Sequence, residues 1–196
     1  MIKILFVCHG NICRSPLGEF IFKDLAIKAG YTVLGVNDSK AKGDATSNAG
    51  PLSNAGQSNN YDSADFDIAS AATSTEEIGN PIYPPSLKTL LAHGIGTPNN
   101  ELGVSKKRAR QITLTDYNYY DLIIIMDQNN LRNMRRMFGE CVDTDGKVHL
   151  MLEYADRPGA EVADPWYTGG FDITWDDIMA GCKGLLEKRG SIYADK

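Results

Sequence analysis

The sequence predicts an α/β fold in which a four-stranded, mainly parallel sheet carries helices on both faces. Three observations predict it. Short, nearly continuous apolar runs recur along the chain, as in strands covered on both faces. Longer stretches bounded by helix-start and helix-stop residues separate them. A length of 196 residues, 42% apolar, suits one domain, or one domain carrying an insertion.

The first strand is read at Ile2–Cys8. A Gly10-Asn11 turn follows, then Ser15-Pro16 and a helical stretch over 17–29 that stops at Gly30. Serine at the N-cap, proline at the first helical position and glycine past the end agree on that helix. Phe66–Ala72 is the second strand, and Pro84-Pro85 opens a helix over 86–93 that stops at Gly94. Leu-Ile-Ile-Ile-Met at 122–126 is the clearest buried strand, with a basic helix over 128–137 behind it. A fourth strand is expected at 148–152 and a last helix at 171–188, apolar at Ile173, Ile178, Met179, Leu185 and Leu186. In such sheets ligands bind at the carboxyl ends of the strands, which puts Cys8 and Asp127 on the functional edge.

Composition removes several classes. Twenty basic against twenty-five acidic residues, a net charge of −5, argues against a nucleic-acid surface. Four cysteines (Cys8, Cys13, Cys141, Cys182) are too few and too scattered for a disulfide scaffold. The apolar run at 4–8 is far short of the ~20 residues of a spanning helix, so a soluble, cytoplasmic protein is expected. His9, His93 and His149 form no close ligand pair, so neither metal nor cofactor is expected. Oligomeric state is left open. Over 37–65 only Leu52 and Tyr61 are large and apolar, and Ser-Asn-Ala-Gly occurs at both 47–50 and 53–56. A polar Gly/Ser/Asn-rich insertion at about 31–65 of a single domain, 1–196, is the reading, with a partner-ordered binding loop as the alternative.

The informative segment is Cys8-His9-Gly10-Asn11-Ile12-Cys13-Arg14-Ser15-Pro16, at the junction of a strand and a helix. Consecutive backbone N–H groups in such a loop form an anion nest that the helix N-terminus reinforces. Arg14 adds a planar fork for two phosphoryl oxygens, and the positive setting favours the nucleophilic thiolate of Cys8. Ser15 is placed to donate to that thiolate, and Gly10 and Asn11 tolerate positive φ.

This loop resembles the signature loop of the low-molecular-weight protein tyrosine phosphatases. The resemblance extends through Ser70-Ala71-Ala72-Thr73-Ser74, Ile78-Gly79-Asn80-Pro81, Arg110-Gln111-Ile112, Met126-Asp127 and Asp164-Pro165-Trp166-Tyr167. It implies the phosphotyrosine protein phosphatase I-like fold, a Rossmann-like three-layer sandwich, and hydrolysis of phosphotyrosine and aryl phosphates through a phosphocysteine intermediate. By this resemblance Cys8 attacks phosphorus, while Arg14 and the loop from His9 to Ser15 (Gly10, Asn11, Ile12 and Cys13 included) bind phosphate. Asp164, in an Asp-Pro-aromatic motif, is then the general acid and base, with Asp156 as a weaker competitor. Ser70 and His93 are expected to brace the loop with Asn11 and Ser15. Trp166 and Tyr167 are expected to wall a slot for a phenyl ring. Several family members carry an aromatic residue where this chain has Glu76, which with Glu77 makes that rim acidic. Cys13 can serve the family as a disulfide partner for an oxidised Cys8. The implied partners are phosphotyrosine-containing proteins. Two alternatives remain: a thioredoxin-coupled arsenate reductase on the same fold, which needs a close pair of relay cysteines, and a phosphate-binding interaction module.

Overall fold

The computed structural model describes residues 1–36, 64–139 and 142–188. Cys141 and most of the 31–65 segment, with its duplicated motif, lie outside the described residues. Four strands, β1 (Ile2–Cys8), β2 (Phe66–Ala72), β3 (Leu122–Ile125) and β4 (Val148–Leu150), form one sheet in the order β2-β1-β3-β4. Every pairing is parallel. The helices are α1 (Arg14–Lys28), α2 (Pro84–Ala92), α3 (Leu114–Tyr119), α4 (Gln128–Phe138), α5 (Pro165–Thr168) and α6 (Phe171–Glu187).

Successive strand residues feed opposite layers, as the two-residue period of a strand requires. Ile4 and Phe6 of β1 join Phe20 and Phe22 of α1, Leu90 of α2 and Ile178 of α6 in one core. Leu5 and Val7 join Tyr117 of α3, Ile123 and Ile125 of β3 and Met134 of α4 in the other. Both faces of the sheet are therefore covered, which is why its strands read as unbroken apolar runs. From β1 the chain goes first to β2 on one side, then to β3 on the other. The loops leaving β1 and β3 part at that reversal and open a crevice.

Two details depart from expectation. The first helix begins at Arg14, not after a Ser15 cap, and its N-cap Cys13 makes no side-chain capping bond. Ser15 lies inside the first turn because its hydroxyl is engaged at Cys8 Sγ. Pro16 is still tolerated there, since first-turn N–H groups have no intrahelical acceptor. The helix is also buried on nearly all sides between the sheet and α6, so it shows little amphipathic contrast. The expected strand at 148–152 stops at Leu150, and Met151–Ala155 turns into a 3₁₀ helix.

That 3₁₀ segment lies directly on α6. A Cβ built at Gly184 would sit 1.7 Å from the Tyr154 carbonyl oxygen, and one at Gly181 would sit 2.6 Å from that of Met151. Gly184→Ala must therefore push backbone apart, and we expect about 3 kcal/mol of lost stability. Urea unfolding checks this; a loss under ~1 kcal/mol would show that the contact relaxes freely.

The described ends of the 31–65 segment are tied together. The Thr32 backbone N–H and hydroxyl both donate to Asp65 Oδ2 at 2.8 Å, and Val33 bridges Phe66. Phe66 begins β2, whereas Ala72, at its other end, pairs with Cys8.

Candidate active site

The loop from Cys8 to Arg14 leaves the central strand and runs into the first turn of α1. Cys8 Sγ lies 3.1 Å from Ser15 Oγ and accepts the Asn11 N–H at 3.3 Å. Asn11 has φ of 57°, a left-handed conformation that costs energy unless its surroundings enforce it. They do: Asn11 Nδ2 donates to Ser15 Oγ (2.9 Å) and Ser70 Oγ (2.8 Å), and Oδ1 accepts the Arg110 N–H (3.2 Å). Among the described residues the N–H groups of Gly10, Ile12, Cys13 and Arg14 have no acceptor, although all four residues line the cleft.

Arg14 is 3% exposed. One terminal nitrogen donates to Asp127 Oδ2 (2.6 Å) and the Val162 carbonyl (3.1 Å); the other donates to Asp164 Oδ2 (2.6 Å). Its buried Nε has no partner. Burial opposes the charge, but the Cys8 sulfur and the Asp164 and Asp127 carboxylates outweigh it and hold the guanidinium above its ordinary range. Asp127 caps α4 through a reciprocal box with Asn130. Asp164 caps α5 by accepting the Trp166 N–H at 3.0 Å, with Pro165 at the first helical position. Its loop is tied to the end of β3 by the Val162 N–H on the Met126 carbonyl.

These residues surround a cleft of ≈ 150 Å³. Cys8, His9, Gly10, Ile12, Cys13 and Arg14 line it from the loop side, Asp164, Trp166 and Tyr167 from another. Trp166 packs against Tyr83 at 4.8 Å between ring centroids, and Tyr167 is 85% exposed, so both are rim residues rather than core. Glu76 and Glu77 complete the rim. Glu76 takes His9 Nε2 at 3.1 Å, and Glu77 accepts Asn80 Nδ2 at 2.7 Å. Burial pushes the Cys13 thiol up to about 12.

His93 is not part of this assembly. Its Nδ1 lies 2.9 Å from the Thr89 carbonyl at the end of α2, and its ring stacks on Trp175 of α6 at 3.7 Å. The helix end and the aromatic face claim the imidazole, and among the described residues no hydrogen bond joins it to Asn11. Ser70 does reach Asn11, and its hydroxyl continues to Glu19 Oε2 at 2.6 Å. Three partners lie outside the residues the sequence marks for the site: Asp127, marked only as on the functional edge, Glu19, and Lys107, whose Nζ donates to Glu19 Oε2 at 2.7 Å. Glu19 carries a signal, an acidic residue on a helix otherwise packed into the core.

Among the described residues no group of three or more His, Cys, Asp or Glu is placed to hold a metal ion, and no helix is long and apolar enough to cross a membrane. The family model described as "Low molecular weight phosphotyrosine protein phosphatase" matches residues 3–51 and 56–192. A protein of that name from Gallus gallus is 32% identical over 188 residues, covering 95% of this chain and 94% of that one. The "Low molecular weight protein-tyrosine-phosphatase YfkJ" of Bacillus subtilis is 33% identical over 187 residues, with the same coverage. The crystal structure of YfkJ superposes with a TM-score of 0.68 at 31% identity, covering 100% of this chain and 97% of that chain. A thiol at the end of the central strand, a buried arginine beside it and the matched length of sequence all lead to one assignment: the chain belongs to the low molecular weight phosphotyrosine protein phosphatase family.

Proposed function

We propose that this chain hydrolyses phosphotyrosine in proteins through a phosphocysteine intermediate. The observation that carries the reading is the buried Arg14, which keeps an unpartnered Nε and lines one cleft with Cys8 and the residues of four acceptor-free loop amides. A phosphoryl group supplies the missing acceptors. Cys8 attacks phosphorus as the bond to the aryl oxygen breaks. Arg14 and the loop amides hold the equatorial oxygens, and Asp164 gives its proton to the departing oxygen. Water then attacks the phosphocysteine, Asp164 takes the proton, and phosphate leaves with the thiolate restored. Asp164 is bound to Arg14 before substrate arrives. Phosphate competes for that guanidinium and frees the carboxyl to carry a proton.

The flat Trp166 face, backed by Tyr83, suits a phenyl ring. A thiol nucleophile fits a reducing, cytoplasmic setting. Cys182 is fully buried, its thiol pushed well above the ordinary range by burial, which argues against its use as a relay in arsenate reduction. We also infer a single catalytic domain over 1–196, with about 31–65 as an insertion rooted at the end of β2 remote from Cys8.

The test is leaving-group dependence. Asp164→Asn should cost about 10²–10⁴-fold in kcat with phenyl phosphate or phosphotyrosine, whose leaving oxygen needs a proton. With p-nitrophenyl phosphate, a far better leaving group, the loss should shrink markedly. Equal losses with both substrates would remove Asp164 from the acid role.

A further inference from the structure

Among the described residues outside the cleft, a buried group of charges centres on Glu19 of α1. Glu19 is 5% exposed. Its Oε1 accepts Lys23 Nζ at 2.6 Å, and its Oε2 accepts Lys107 Nζ at 2.7 Å. Lys107 also donates to the Ser70 carbonyl at 3.1 Å. Burial on its own would raise the Glu19 carboxyl, but the two lysines outweigh it and hold it at about 2. Burial lowers Lys107, Glu19 opposes that shift, and Lys23 and Arg110 add like charge on the same side. Stability does not account for such a cluster, because apolar residues of similar volume generally serve as well.

A third ligand of Glu19 supplies the reason. Ser70 Oγ donates to Glu19 Oε2 at 2.6 Å. An ionised carboxylate only accepts, so the single Ser70 proton is committed to it. Ser70 then offers only lone pairs, and Asn11 Nδ2 donates to it at 2.8 Å. The other Asn11 amide proton goes to Ser15 Oγ at 2.9 Å. Ser15, having accepted, keeps one proton for two acceptors, Cys8 Sγ at 3.1 Å and the Ala71 carbonyl at 3.4 Å, and an ionised sulfur draws it to itself. Each bond fixes the sense of the next.

We propose that Lys107 is a positioning residue: by holding Glu19 as a buried anion, it sets the direction of a hydrogen-bond chain that ends as a donor on the Cys8 sulfur. The proposal rests on Cys8 being the nucleophile. Without Lys107, Glu19 keeps Lys23 on Oε1 but loses the cation on Oε2, the oxygen that faces Ser70; the buried carboxyl can then take up a proton there, and the Ser70 proton is no longer committed. The Asn11 amide can then invert, and Ser15 can accept from the thiol where it had donated to the thiolate.

The experiment uses the full chain and reads the sulfur directly, as the pH dependence of Cys8 alkylation by iodoacetate, beside kcat and KM for p-nitrophenyl phosphate. Lys107→Met should lower kcat about tenfold with KM changed less than about threefold. The alkylation midpoint should move to higher pH, and Lys107→Arg should restore most of both. A Lys107→Met enzyme with the wild-type midpoint and kcat overturns the proposal. Ser70→Ala cuts the chain while leaving all three charges in place, so its midpoint must also rise. An unchanged midpoint there overturns the proposal even where Lys107→Met fails to fold. Failure of the underlying reading shows separately, as activity retained in Cys8→Ser.

Discussion

Cys8→Ser is expected to abolish turnover of phosphotyrosine and aryl phosphates, by at least about 10⁴-fold, while leaving phosphopeptide binding within a few-fold. The neighbours of the sulfur explain the size of the effect. Ser15 Oγ lies 3.1 Å from it and the Asn11 N–H donates to it at 3.3 Å. Among the described residues no carboxylate or imidazole is hydrogen-bonded to that sulfur, and Asp164, on the same cleft, is held by Arg14. A thiol needs little help to ionise; an alcohol needs a base and has none here. Binding should survive because Arg14 and the loop amides are untouched. Single-turnover assays and calorimetry with a phosphotyrosine peptide separate the two quantities. Residual kcat above about 1% of wild type would mean another nucleophile operates.

Arg14→Lys should cost about 10²–10³-fold in kcat while the protein remains folded. The guanidinium spans Asp127, the Val162 carbonyl and Asp164 with its two terminal nitrogens and still keeps an unpartnered Nε. An ammonium group keeps the charge but is a single point on a flexible stem, and cannot stay on Asp127 while it engages two phosphoryl oxygens. Arg14→Ala goes further, because it leaves Asp127 and Asp164 facing each other without a cation; about 3–5 kcal/mol of stability should go with it. Urea unfolding beside steady-state kinetics distinguishes the two variants. A lysine enzyme within about threefold of wild type would show that charge alone, without the fork, suffices.

The parts of the molecule legible in sequence were those whose cause is local. Ile2–Cys8 and Phe66–Ala72 are strands at the expected bounds, because burial on both faces leaves an unbroken apolar run. The Cys8-to-Arg14 loop was legible because its parts are consecutive and lie between a strand and a helix. Asp164 stood out only through family resemblance, since an Asp-Pro pair alone reads as a turn. Partners brought from far along the chain were not legible. Asp127 meets Arg14 across 113 positions and Lys107 meets Glu19 across 88. His93 fails for the same reason, since what claims its ring is Trp175, a residue of another helix. Helix α3 was missed although its start was encoded: Thr113 and Asp116 form a capping box with the usual three-residue spacing.

The tie between Thr32 and Asp65 has a consequence for how this enzyme tolerates change. Thr32 and Asp65 join the two described flanks of the 31–65 segment at the foot of β2, while the chemistry is assembled at the other end of the same strand. Lengthening a closed excursion costs only the logarithm of its length, about 0.6 kcal/mol per doubling. So long as that tie holds, changing the number of residues between Thr32 and Asp65 should leave Phe66 and the register of the sheet unchanged. The tie is thus the place where a length change is expected to be absorbed before it reaches the catalytic end of β2.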